Sequence, residues 1–138
     1  MTNSQNISYT YYEDFQTIKT YTPIPEAGYT TIHGLTIHME SGEAAIQEEY
    51  EEDIVLAIGS LAKARIKLST PSTEIQITGT PWVPTTVALY DAADQLIGRQ
   101  SWEEDTISFD SKRPVIYLKV YCLTPGADVY ITSLGWSE

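Results

Sequence analysis

Residues 85–102 read TTVALYDAADQLIGRQSW, and the reading of their middle decides the fold. Asp91 and Asp94 stand three residues apart. They are either a carboxylate pair for a metal or a reaction, or the corner of a β-hairpin. The flanks favour the hairpin. TVALY and QLIGRQS are both strand-like, and a link of four residues is hairpin spacing. Asp also accepts hydrogen bonds from its own nearby backbone and tolerates turn dihedrals. Two antiparallel strands and a tight turn are expected here.

The same punctuation recurs on both sides. ISYTYYEDFQTI (7–18), TTIHGLTIHME (30–40), DIVLAIG (53–59), KARIKLS (63–69) and TEIQITGT (73–80) precede the hairpin. TISFD (106–110), PVIYLKVYCL (114–123) and DVYITSLGW (128–136) follow it. With the hairpin's own pair this makes about ten short strands, the spacing of an all-β sandwich or barrel. Alternation assigns faces. Ile66 and Leu68 oppose Arg65 and Lys67, and Ile75 and Ile77 oppose Glu74, Gln76 and Thr78. One dry and one wet face imply antiparallel sheets. In VIYLKVYCL, Ile116, Leu118, Val120 and Cys122 are expected in the core, with Val115, Tyr117, Lys119 and Tyr121 outward. Helical periodicity is nearly absent. EAAIQEEYEED (43–53) alone is helix-prone, as one or two turns or as a charged loop that starts as a strand. The chain therefore reads as one β-sandwich domain over 1–138, with at most one short helix and residues 1–7 disordered.

Composition narrows the function classes. Nineteen acidic residues against eight basic give a net charge of −11. Nucleic acid and anionic membrane surfaces are poor partners for such a chain, because both rely on clustered Lys and Arg. Acidity itself speaks first to solubility, and second to a cation site. The single cysteine, Cys122, excludes an intrachain disulfide and is expected as a buried core thiol. MTNSQNISYT lacks a signal-peptide pattern, and no apolar run approaches the ~20 residues that span a bilayer. Asn6-Ile7-Ser8 fits a glycosylation sequon. There is no G-x-S-x-G, P-loop or G-x-G-x-x-G, and no enzymatic activity is expected. His33 and His38 are five residues apart in a strand-like run, so they face opposite ways and cannot share a metal.

ALYDAADQLIGRQSW, TISFDSKRPVIYLKVY and ADVYITSLGWSE together resemble the C-terminal half of galactose-binding-like jelly-roll modules. YYEDF and IHGLTIHM are similar to the opening of bacterial extracellular sandwich domains of that kind. The hairpin departs at one point, with Asp94 where the pattern has Gly. The resemblance implies an extracellular sandwich with its terminal strands side by side and a glycan as ligand. It also implies a structural calcium ion between the first and last strands. Glu13, Asp14 and Glu138 would supply oxygens for that ion, with Asp128 adding another. The plainer reading is solvated carboxylates at strand ends. The run Glu48, Glu49, Tyr50, Glu51, Glu52 and Asp53 is read as an exposed charged segment.

A sugar presents apolar C–H faces ringed by hydroxyls, so a glycan site needs an exposed aromatic ring with polar neighbours. Trp82, in the proline-flanked loop GTPWVPTT, is the first choice for that platform. Trp102 is the second, Tyr9, Tyr11 and Tyr12 offer further rings, and Arg99 or Gln100 would orient the sugar. Trp136 is read as packing. The favoured function is a non-catalytic carbohydrate-binding module. The alternatives are a protein-binding or adhesion module, such as the receptor-binding accessory part of a toxin, with a cell-surface protein as partner, and a small glycan-active hydrolase.

Overall fold

The structure, a computed structural model, describes residues 9–49, 53–122 and 124–138. Among these residues there are ten strands: β1 (Tyr11–Glu13), β2 (Tyr29–Thr30), β3 (Thr36–Ser41), β4 (Ala44–Glu49) and β5 (Asp53–Ile58), then β6 (Lys63–Pro81), β7 (Thr85–Tyr90), β8 (Leu96–Trp102), β9 (Thr106–Tyr121) and β10 (Val129–Ser137). Every strand pairing is antiparallel. Among the described residues there is no helix, and so none long and apolar enough to cross a membrane.

β6 and β9 form the spine and belong to both layers. The first part of β6, 63–67, lies between β3 and residues 117–121 of β9, and β7 and then β8 extend that layer. The second part of β6, 74–81, lies against β10, and its residues 74–78 pair with 106–110 of β9. β5 and β4 continue from β10, and β1 pairs with the other end of β10. Apolar side chains from both layers meet in one core. Ile37, Ile66, Val87 and Leu118 come from one layer, and Ile46, Leu56, Ile131 and Trp136 from the other. The terminal strands are neighbours, as the resemblance implied.

Several expectations are corrected in detail. KARIKLS and TEIQITGT are one strand of 19 residues, and TISFD and PVIYLKVYCL merge into one of 16. The ladder between them shifts register between Lys67 and Ser72 and again between Ser72 and Glu74. Pro71 and Pro114 lie at this irregular stretch. A proline interrupts a strand because it cannot donate to the ladder, and here the ladder is already broken. The shift also changes the phase of alternation. In β6 the buried apolar positions are even up to Leu68 and odd from Ile75, and in β9 the order reverses. Val115, expected outward, is therefore buried, while Ile116, expected in the core, is only half-buried.

TTIHGLTIHME is not one strand. Gly34 takes φ +91°, its N–H bonds the Thr31 carbonyl at 2.9 Å, and a turn separates β2 from β3. His33 lies in that turn, so its relation to His38 is not one of strand parity. EAAIQEEYEED is strand over Ala44–Glu49, and its residues 50–52, like the sequon at 6–8, lie outside the described residues. Cys122 and Trp136 are buried, as expected.

Candidate functional site

The hairpin turn is held by one carboxylate. Asp91 Oδ1 accepts the N–H groups of Ala93 and Gln95, each at 2.9 Å, and Oδ2 accepts from Arg113 Nη1 at 3.1 Å. The Gln95 N–H above all, with those of Ala93 and Arg113, holds the Asp91 carboxyl below its ordinary pKa. Asp94 takes φ +60°, the left-handed position that glycine fills most readily and Asp tolerates. The two carboxylates do separate jobs, one bonding the turn and one adopting its unusual backbone.

Trp82 and Trp102 meet opposite fates. Trp82, in the β6–β7 connection, is 52% exposed and packs edge-on against Tyr130, ring centroids 6.2 Å apart. The neighbouring β8–β9 loop holds Glu103, Glu104 and Asp105. That loop is pinned alongside, because Trp102 pairs with Thr85 and Gly79 N–H donates to the Asp105 carbonyl at 2.9 Å. Trp102 itself is 1% exposed and belongs to the core. The expectation of Trp102 as a platform is corrected: its place in the β7–β8 ladder turns the ring inward.

Arg99 and Gln100 do not join Trp82. They are consecutive in β8 and so face opposite sides of the sheet. Arg99 pairs with Ala88, three rungs from the Thr85–Trp102 pair, about 10 Å along the strand. Gln100 lines a cavity of about 330 Å³ together with Ser101, Glu103, Glu104 and Ser108. Tyr12 is exposed, whereas Tyr11 stacks on Trp136 with centroids 6.0 Å apart.

The four carboxylates expected at a calcium site do not converge. Asp128 and Glu138 flank the nine residues of β10, and an extended strand of that length holds them about 30 Å apart. Glu138 Oε2 accepts from Thr70 Oγ1 at 3.1 Å, and Asp14 Oδ1 from the Gln16 N–H at 3.1 Å. Asp128 lines a separate cavity beside Pro23 and Ala57. Glu13 is wholly buried: Oε2 accepts the Phe15 N–H at 2.7 Å, and Oε1 lies 3.0 Å from His33 Nδ1. Among the described residues, no three His, Cys, Asp or Glu side chains gather as a metal site would require. The Glu13–His33 contact escaped the sequence because twenty residues separate the partners and only folding joins them.

A second surface was also missed. Rungs of β3, β6, β9, β7 and β8 set His38, Arg65, Lys119, Ala88 and Arg99 side by side. The row above holds Lys63, Tyr121, Thr86 and Ser101, and the row below holds Lys67, Tyr117 and Tyr90. Tyr117 and Tyr90 stack at 4.9 Å with planes 6° apart, and the Arg65 guanidinium carbon sits 3.9 Å above the Tyr117 ring. Lys119 Nζ lies 5.0 Å from the Tyr90 centroid, and Lys63 Nζ 4.7 Å from that of Tyr121. Burial under these neighbours, and then the Asp94 carboxylate, push the Tyr117 hydroxyl above its ordinary pKa. The signal was the alternation of Lys63, Arg65 and Lys67 along a single strand face.

No family model matches the chain, and no curated protein matches it in sequence. Solved structures match it in fold. A family 6 carbohydrate-binding module superposes with a TM-score of 0.51 at 12% identity, over 86% of this chain and 95% of that one. The family 32 module of NanJ from C. perfringens, solved with galactose, gives 0.50 at 12% over 84% and 98%. A Streptococcus pneumoniae fucose-binding module gives 0.50 at 13% over 61% and 72%. At such identities the likeness is one of fold. That fold is the galactose-binding-like jelly-roll β-sandwich.

Proposed function

We propose that the chain is a non-catalytic carbohydrate-binding module that takes a neutral sugar at the Trp82 edge. One observation carries the reading: a tryptophan that is half exposed and braced edge-on by Tyr130, in a connection whose backbone runs next to the loop of Glu103, Glu104 and Asp105. The brace limits the rotamers Trp82 can visit, so less entropy is lost when a sugar stacks on it. Any carboxylate of the neighbouring loop that reached the bound sugar would accept hydrogen bonds from its hydroxyls and would disfavour sugars that are themselves anionic. The structural neighbours named above lend support, since each is described as a carbohydrate-binding or fucose-binding module.

The test is a glycan array probed with the wild type and with Trp82→Ala. Wild type should retain neutral glycans, and the variant should bind them at least tenfold more weakly, about 1.4 kcal/mol. Its melting temperature should stay close to that of wild type, because an exposed ring contributes little to the fold. No retained glycan, or equal retention by the variant, would sink the reading.

A further inference from the structure

Five of the chain's eight Lys and Arg residues, Lys63, Arg65, Lys67, Arg99 and Lys119, stand on one face of the β3–β6–β9–β7–β8 layer. The chain as a whole carries −11, so this concentration runs against its composition. Among the described residues three carboxylates approach the face: Glu40 at 3.2 Å from Lys119 Nζ, Asp94 beside the Tyr117 hydroxyl, and Glu103, which accepts from Ser101 Oγ at 2.8 Å. Among the described residues, Lys63, Arg65, Lys67 and Arg99 have no carboxylate within ion-pair distance. The chain has 19 acidic residues, yet among the described residues most of this face's cations stand unneutralised.

Lys63, Arg65 and Lys119 are also held over tyrosine rings. The Arg65 guanidinium carbon sits 3.9 Å from the centre of the Tyr117 ring, which is itself stacked on Tyr90, and that contact restricts where the guanidinium can go. Ala88 shares the outward face yet is only 1% exposed, because longer side chains on both sides close over it. The tyrosine rings are covered by cations and by each other, so the face offers N–H and hydroxyl donors rather than an open stacking plane.

We infer that this face binds an oligosaccharide that carries anionic groups, carboxylate or sulfate, at a site distinct from Trp82. Guanidinium and ammonium groups would hold the anions, with Arg65 and Arg99 presenting bidentate forks. Thr86 and the Tyr121 hydroxyl lie among them to meet sugar hydroxyls. A protein partner fits less well, because interface centres are built on apolar and aromatic side chains offered to the partner, and here the rings are already capped. Nucleic acid fits less well too, since its dense phosphates would meet the repulsion of the remaining acidic surface.

Calorimetric titration tests this with a galacturonic acid oligomer, its neutral methyl ester and a heparin-derived oligosaccharide, against wild type, Arg65→Gln, Arg99→Gln and Trp82→Ala. At least one anionic probe should bind wild type, and the attraction should weaken with added salt. If that probe is the galacturonate, the methyl ester should bind about tenfold more weakly, and each arginine variant should lose about tenfold on whichever anionic probe binds. Trp82→Ala should bind that probe as wild type does, which separates this site from the neutral-sugar site. Arg99 is exposed on the edge strand, so Arg99→Gln decides if Arg65→Gln disturbs the fold. Failure of every anionic probe to bind, or wild-type binding by Arg99→Gln, overturns the inference and leaves the Trp82 reading untouched. So does equal binding of poly-glutamate or single-stranded DNA, which would mark a general polyanion surface.

Discussion

The two ends of the β7–β8 hairpin are built on different principles. At the turn, Asp91 to Gln95 bond one another, and one carboxylate satisfies two N–H groups within four residues. At the open end, Trp102 faces Thr85 and is swallowed by a core drawn from strands far away in the chain. Local chemistry fixes the first end, and tertiary packing the second. The contrast extends to the neighbouring tryptophan. Trp82 lies three residues before Thr85, yet it stays outside because its loop has left the ladder before the core closes.

The open end should break most severely. Trp102→Ala should cost about 3–5 kcal/mol, the range for deleting a large aromatic from a packed core, read from the denaturant midpoint. Trp102→Phe sharpens the point. Among the described residues Trp102 Nε1 finds no hydrogen-bond partner, although it is buried. A buried donor left unpaired costs about 1–3 kcal/mol, so phenylalanine removes a liability while it loses ring volume. Trp136 is the control, because its Nε1 donates to Ser69 Oγ at 2.9 Å. Trp136→Phe should therefore be the more damaging of the two phenylalanine substitutions. The reverse order would mean that the Trp102 N–H is satisfied in solution.

That division also explains what the sequence disclosed. Turn chemistry and alternation act over a few residues, so the hairpin and the faces of Ile66, Leu68, Ile75 and Ile77 were legible. The union of two runs into β6 was not, because Pro71 looks like a boundary until the partner strand is known to shift register beside it. Trp82 in a proline-flanked loop could be read as exposed. Trp102 could not be read as buried, since EED follows it and only the pairing with Thr85 turns it inward. The cationic face was written in Lys63, Arg65 and Lys67, but Lys119 and Arg99 join it only through two further strands.

The turn should yield smaller effects, starting at Asp94. Its φ of +60° is a position where a β-carbon is strained, and Asp bears that strain better than most residues. Asp94→Ala keeps the β-carbon and loses the contact with Tyr117, so it should cost about 1 kcal/mol. Asp94→Gly loses the same contact but relieves the backbone, so it should cost less than alanine. Matched denaturation curves would settle the order. An alanine variant as stable as the glycine one would place the strain elsewhere.

Asp91 should give the smallest effect, and one visible only in acid. Its folded pKa is lowered, first by the Gln95 N–H and then by the Ala93 N–H and Arg113, against the opposing effect of burial. A depressed carboxylate contributes stability that is fully present above its unfolded pKa, about 3.9. That contribution fades as pH falls through the lower folded value. Asp91→Asn retains an oxygen that can accept from Ala93 and Gln95, but it can neither titrate nor carry the charge that faces Arg113. Near neutral pH the variant should differ little from wild type, because a single surface ion pair is worth little. Below about pH 4 its stability should fall less steeply than that of wild type. Parallel slopes in that window would show that the turn is held by backbone geometry alone, and the two ends of the hairpin would then differ less than their bonding implies.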